Sequence, residues 1–262
     1  PQGTLFGASA MTGAIRVLTR KPNLQRAEGF VETDVSKVTN GDYGYDIHAM
    51  FNTPLLENNA ALRAVGYVHE QAGYVDNIAT GDDNVNNIQV VGGRLAATFR
   101  ANDRVSVTGR VAHQRRESDG TGFEPFNLPP RQQSNLPESL GDEWTNVNLV
   151  VEADLDWADF LSSTSLLDRL LEITIDISSF GEFAFGISSP IYTNAIDDSN
   201  EFVQEFRLTS KNDHRLLWVF GAYYQDLDQD LFQDMPAEGF DAQTGGLAAG
   251  AGLSDNLILA RY

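Results

Sequence analysis

Apolar and polar residues alternate along much of this chain with a period of two, the pattern of β-strands that have one apolar and one polar face. Residues 143–156 show the alternation most clearly. In that stretch one face would carry Val147, Leu149, Val151, Ala153 and Leu155, and the other Asn146, Asn148, Glu152, Asp154 and Asp156. The pattern therefore predicts an all-β protein.

The same pattern predicts roughly nine or ten strands separated by turns. Two segments, residues 173–200 and 226–256, are predicted to be long loops, with residues 173–178 as an alternative extension of the strand before them. The predicted strands cover residues 28–37, 43–53, 61–71, 88–100, 105–115, 143–156, 160–172, 201–210 and 216–225, and one more starts at 257–262.

Turn lengths alternate between short and long along the chain. In an antiparallel sheet this places the short turns at one end, and the hairpin signal at Asn40 and Gly41 is the exception. Outer-membrane barrels have this asymmetry, and a soluble β-sandwich gives no reason for it. Short turns fall near Glu57, Asn102, Ala158 and Asp213, and long loops near Asp82, Pro129, Ser188 and Gly245.

Composition narrows the class of protein. The 262 residues include 18 basic and 37 acidic side chains, a net charge of −19, which argues against nucleic acid as a partner. There is no cysteine, which fits a bacterial envelope protein. No run of about eighteen apolar residues exists, which excludes a transmembrane helix but not a barrel. Because the chain starts at Pro1 without an apolar leader, we expect it to be a piece of a longer protein.

The sequence predicts no catalytic, metal or cofactor site. The four histidines, His48, His69, His113 and His214, lie far apart, each alone on a strand or turn. No HExxH, GxSxG or phosphate-loop motif occurs. With this many carboxylates, a pair that mimics a glycosidase couple is expected by coincidence. We therefore expect that the protein is not an enzyme.

The opening stretch, PQGTLFGASAMTGAIRVLTRKP, is typical of a glycine-rich loop that leads into a strand at residues 14–19. An ordinary turn before a strand is one interpretation. The stretch also resembles the end of the plug domain in TonB-dependent outer-membrane receptors, although Thr12 replaces a common glycine. The matching positions are Pro1, Gln2, Gly3, Thr4, Leu5, Gly7, Ala10, Gly13, Ala14, Ile15, Thr19, Lys21 and Pro22. Residues 73–77, 93–94, 202–210 and 221–224 look like early barrel strands of the same receptors.

The resemblance implies an antiparallel transmembrane β-barrel, present in part, preceded by the last strand of a plug domain. Residues 1–27 would end the plug, and residues 28–262 would form the N-terminal portion of the barrel. The implied function is TonB-dependent active uptake of a scarce, bulky nutrient, such as a ferric siderophore or cobalamin, across the bacterial outer membrane. The implied partners are outer-membrane lipid, the TonB complex and the small-molecule substrate, with no cofactor. The TonB-contacting segment and more than half of the barrel would be missing, so we expect this piece to be inactive alone.

In such a barrel the polar strand faces line the lumen and the apolar faces meet lipid. Charged residues on the polar faces would then contact the plug, or would simply be solvated in a wide interior. The lumen-facing candidates are Arg94, Arg110, Glu152, Asp154, Glu205 and Arg207. Several aromatic residues suit interfacial girdles or, alternatively, the core of a soluble β protein: Tyr43, Phe99, Trp157, Phe202, Trp218 and Tyr224.

Two other classes of protein stay open on the sequence. One is a passive porin, which the opening motif disfavours because porins lack a plug. The other is a soluble extracellular β-rich adhesin or carbohydrate-binding module, which would also explain the acidic composition.

Overall fold

The computed structural model describes residues 17–120, 131–178, 182, 190–211 and 216–236, and the backbone of residues 256–261. Ten strands pair in chain order, every neighbouring pair antiparallel, into one sheet. They are β1 (Glu28–Lys37), β2 (Tyr43–Leu56), β3 (Ala60–Gln71), β5 (Ile88–Arg100), β6 (Val105–Ser118), β8 (Ser139–Asp154), β9 (Ala158–Asp176), β10 (Tyr192–Ser210), β11 (Val219–Pro236) and β12 (Asn256–Arg261). Two short strands in the loops, β4 (Asp76–Asn77) and β7 (Arg131–Gln132), pair in parallel. The predicted all-β antiparallel fold is confirmed, and its open strand order is that of a partial barrel.

Several strands are longer than the sequence predicts. β9 and β10 have 19 residues each, whereas about 9–11 residues are enough to cross the hydrocarbon core of a membrane. The loop predictions at residues 173–200 and 226–256 are therefore partly wrong, because β10 starts at Tyr192 and β11 continues to Pro236. In these outer parts polar residues lie on both faces, as at Asp197 and Asp198, so the alternation that marks a half-buried strand is lost.

The loops differ between the two ends of the sheet. Residues 57–59, 101–104, 155–157 and 211–218 connect strands at one end, which we call the short-turn end. Residues 72–87, 119–138 and 177–191 connect them at the other, the long-loop end. The short loop at residues 38–42 also lies at the long-loop end, and Asn40 there has a φ of 60°, which Asn tolerates well. A Cβ on Gly41 would lie 2.5 Å from the carbonyl oxygen of Gly73, so this loop needs glycine to pack against the next one.

One face of the sheet, which we call the apolar face, exposes large hydrophobic side chains. Phe51 is 57% exposed, Leu95 49% and Val111 46%. Among the described residues, no second layer of strands covers this face, as a sandwich would require. An exposed apolar surface of this kind is expected where a protein meets lipid or another protein surface. The register aligns one row across it: Phe51, Ala64, Leu95, Val111, Val147 and Leu166.

The opposite face, which we call the polar face, carries hydrogen-bonding and charged side chains. One row across it consists of Asn52, Arg63, Ala96, Arg110, Asn148 and Ser165. The described segment before β1, residues 17–27, lies against this face, and we call it the linker. Of the strand predicted at residues 14–19, residues 14–16 lie outside the described residues and residues 17–19 are not in the sheet. In the described part of the chain, no helix is long and apolar enough to span a membrane.

Candidate functional site on the polar face

All six lumen-facing candidates lie on the polar face. Arg110 pairs with Ala96, two residues after Arg94 on β5, and Glu152 of β8 pairs across Leu161 of β9 to Arg207 of β10. Asp154 lies two residues after Glu152 on β8, and Glu205 lies two residues before Arg207 on β10, so both share this face. That the face lines a lumen stays a prediction. The plug-signature residues Pro1, Gln2, Gly3, Thr4, Leu5, Gly7, Gly13, Ala14 and Ile15 lie outside the described residues.

Asn52 of β2 fastens the linker to the sheet. Its side chain is fully buried, and its Oδ1 accepts a hydrogen bond from the backbone N–H of Asn23 at 2.8 Å. Its Nδ2 donates to the carbonyl oxygens of Asn23 at 3.0 Å and Arg26 at 2.9 Å. A side-chain amide has one acceptor and two donor hydrogens, and all of them are used here. Nothing local in the sequence marks Asn52, because its partners lie in a segment more than twenty residues upstream.

A second contact holds the linker further across the sheet. Lys21 Nζ forms an ion pair with the Glu152 carboxylate of β8, which also accepts a hydrogen bond from Ser106 at 3.3 Å. The two charged side chains are 49% and 36% exposed, so the pair orients the linker more than it stabilises the fold. Between the linker and strands β5 to β10 lies an open cavity of about 760 Å³, which Glu152, Asp154 and Arg207 help to line.

The short-turn end carries a charged network outside the apolar row. Lys211 Nζ contacts Asp154 at 3.0 Å and also binds Asp159. The hydrogen bond from Lys211, with a further one from the backbone of Asp156, lowers the pKa of Asp154. The hydrogen bonds to Asp159 and Asp154 raise the pKa of Lys211. Both groups therefore stay charged near neutral pH and keep this end of the sheet hydrated.

At the long-loop end, side-chain hydrogen bonds join three loops that are far apart in the sequence. Buried Asn77 donates to the carbonyl oxygen of Ser134 at 2.8 Å and accepts from its N–H at 3.2 Å. The Ser134 hydroxyl in turn donates to Asp176 at 3.2 Å. Sequence reasoning missed this network, since each member is an ordinary polar loop or strand-end residue.

Asp176 is the centre of that network. Its carboxylate accepts hydrogen bonds from the backbone N–H groups of Asn135 and Leu136 and from the N–H and hydroxyl of Ser178. Burial opposes ionisation of Asp176, but these hydrogen bonds together outweigh it and lower its pKa. The carboxylate is therefore charged at neutral pH and ties the loops that lead into β8 and β10 to the end of β9.

Two histidines are less isolated than the sequence predicts. The Asp46 carboxylate lies between the ring nitrogens of His69, at 2.6 Å, and His48, at 3.5 Å, because β2 and β3 bring all three to one face. His113 contacts Thr145 at 3.0 Å, and His214 lies outside the described residues. Among the described residues, no three histidine, cysteine or acidic side chains are grouped so that they could hold a metal ion.

Comparison with known proteins bears on the fold. No protein-family model and no curated protein sequence matches this chain. The crystal structure of the ferric yersiniabactin uptake receptor FyuA from Yersinia pestis is similar, with a TM-score of 0.77 and 18% sequence identity. The match covers 91% of this chain but only 36% of that receptor, so this chain spans about a third of its length. At this identity the likeness shows that the two proteins share a fold.

Proposed function

We propose that this protein is part of a TonB-dependent receptor that takes up a scarce, bulky nutrient, such as a ferric siderophore, across the bacterial outer membrane. The observation that carries the proposal is the position of the linker. The linker contains the last residues of the plug-like motif of residues 1–22 and lies on the polar face, bonded to Asn52 and Glu152. A plug inside a barrel requires such a connection from the lumen to the first strand, and a passive porin does not.

The two faces of the sheet support an outer-membrane location. The apolar face presents Phe51, Leu95 and Val147 to its surroundings, and the polar face holds the charged candidates and the linker. This division suits a barrel with lipid outside and water inside. The strands that extend past the apolar row, and the loops that Asp176 joins, would form the extracellular end.

Uptake measurements in cells test the proposal. The complete receptor would be expressed in a bacterium that lacks its own uptake receptors, grown under iron limitation, with ferric yersiniabactin as the first ligand because the similar receptor is named for it. We expect binding in cells with and without TonB, and accumulation only in cells with TonB. Equal accumulation of the ligand in cells with and without TonB would contradict the proposal and indicate a passive pore. Absence of the protein from the outer-membrane fraction would indicate a soluble β protein.

A further inference from the structure

Three arginines meet on the polar face around Arg94. Arg63 of β3 and Arg110 of β6 both pair with Ala96 of β5, and Arg94 is two residues from Ala96 on the same face. Diagonal neighbours on one face of a sheet are about 7–8 Å apart, within reach of arginine side chains. Arg94 accordingly lies within electrostatic range of both other arginines. Ala96 is only 2% exposed, because longer side chains surround it.

The described residues compensate the charges of this arginine cluster (Arg63, Arg94 and Arg110) poorly. Arg63 is 6% exposed and pairs with Glu28 at 3.1 Å, and Arg110 donates to the neutral Asn148 at 3.0 Å. The Nε atoms of both Arg63 and Arg110 are buried without a hydrogen-bond partner.

Arg94 itself has no hydrogen bond or ion pair with any described residue. Its cross-strand neighbours are Val65 and Ala112, which have no polar side-chain atom. The nearby Tyr67 hydroxyl donates to Gln114 at 2.8 Å. The guanidinium at the middle of the cluster is therefore the one with the most unused donors.

Arginine does not lose its proton in proteins, so three neighbouring guanidinium groups repel one another unless an anion lies between them. The chain has 37 acidic residues for 18 basic ones, yet one carboxylate, Glu28, is paired with this cluster in the described structure. The planar donor pairs of arginine match the two oxygens of a carboxylate or phosphate.

We propose that the arginine cluster binds a carboxylate or phosphate group, with Arg94 as its main ligand. Two sources offer this chemistry: a soluble organic anion that reaches the polar face, or an acidic side chain from a protein segment that covers it. Residues 1–16 contain no Asp or Glu, so they are not that segment.

Thermal unfolding of the complete protein in detergent tests the site. Citrate and inorganic phosphate are the probes, each compared with sodium chloride at equal ionic strength. If the anion is soluble, citrate or phosphate raises Tm, and Arg94→Gln weakens binding about tenfold or more, because charge-assisted hydrogen bonds are lost. Arg94→Lys, which keeps the charge but not the planar fork, loses less. Arg115→Gln is the matched control, since Arg115 is 61% exposed and pairs on the apolar face.

If the anion is an acidic side chain of the protein, the soluble anions have no effect, but Arg94→Gln lowers Tm whereas Arg115→Gln does not. Two results overturn the proposal. One is an anion response of the same size in the wild type and in Arg94→Gln. The other is the absence of any anion response, combined with a Tm for Arg94→Gln that is equal to or higher than that of the wild type. That result would show that no anion balances the three arginine charges.

Discussion

The backbone of Asn23 and the side-chain amide of Asn52 exchange two hydrogen bonds, of 2.8 and 3.0 Å, in the way that neighbouring strands do. A third hydrogen bond, from the Asn52 side chain to the carbonyl oxygen of Arg26, holds the end of the linker. Because Asn52 is fully buried, water does not compete for these groups. The linker is thereby fixed to β2 before β1 begins.

Replacement of Asn52 by alanine should release the linker. The change leaves the N–H of Asn23 and the carbonyl oxygens of Asn23 and Arg26 without partners, which costs about 1–3 kcal/mol for each group that stays buried. We expect faster hydrogen exchange at the Asn23 amide. Asn146→Ala, on the same face but without a side-chain hydrogen bond to any other residue that the structure describes, is the control. Equal exchange in both variants would show that Asn52 does not hold the linker.

The side of the sheet on which a residue lies should decide how well it tolerates charge. Leu149→Arg places a cation on the apolar face and should cost about 2–4 kcal/mol in the free energy of folding into lipid vesicles. Asn146→Arg, on the polar face, should cost far less. Asn148 is a poor control, although it is adjacent, because it bonds to Arg110, Ser163 and Ser165. Similar losses from Leu149→Arg and Asn146→Arg would contradict the assignment of the two faces.

How far the sequence predicts this fold depends on where each strand lies. β1 and β5 begin and end where the sequence predicts, because apolar residues recur at alternate positions through most of each strand. The start of β10 and the end of β11 escape prediction, because polar residues lie on both faces there. Only pairing with neighbouring strands reveals them.

The residues of the polar face and the loops also divide into those that the sequence predicts and those that it does not. Charge and alternation predict that Arg94, Arg110 and Glu152 share the polar face, as the structure shows. Asn52 and Asp176 escape prediction, since their roles depend on backbone groups that are distant in sequence. A lone Asn or Asp gives no local signal of such contacts.

Loss of the Asp176 carboxylate should loosen the loops at the long-loop end. Asp176→Asn removes the charge that accepts hydrogen bonds from Asn135, Leu136 and Ser178. We expect faster cleavage by trypsin at Arg131, in a loop that this network holds. Asp168→Asn, on the same face of β9 but exposed and eight residues away from Asp176, should cleave at the wild-type rate. An unchanged rate in Asp176→Asn would show that the network does not order the loop.

The same carboxylate predicts a pH dependence. Its pKa in the folded protein lies below the ordinary value of 3.8, so its contribution to stability is complete above that pH and is lost as the pH falls through the folded pKa. The difference in Tm between the wild type and Asp176→Asn should therefore be constant near neutral pH and shrink below pH 3.8. A difference that grows on acidification would mean that the pKa is raised instead.

Energised uptake by a receptor with a locked linker tests the central claim most directly. In the complete receptor, cysteines at positions 23 and 52 would join by a disulfide the two residues that now exchange hydrogen bonds, and Asn52→Cys alone is the control for loss of the amide. If the linker stays on the sheet while more N-terminal plug regions move, TonB-dependent uptake should be the same in the oxidised and reduced double variant. Uptake that is lost on oxidation and restored on reduction, with ligand binding unchanged throughout, would contradict this account and show that the linker itself must leave the sheet.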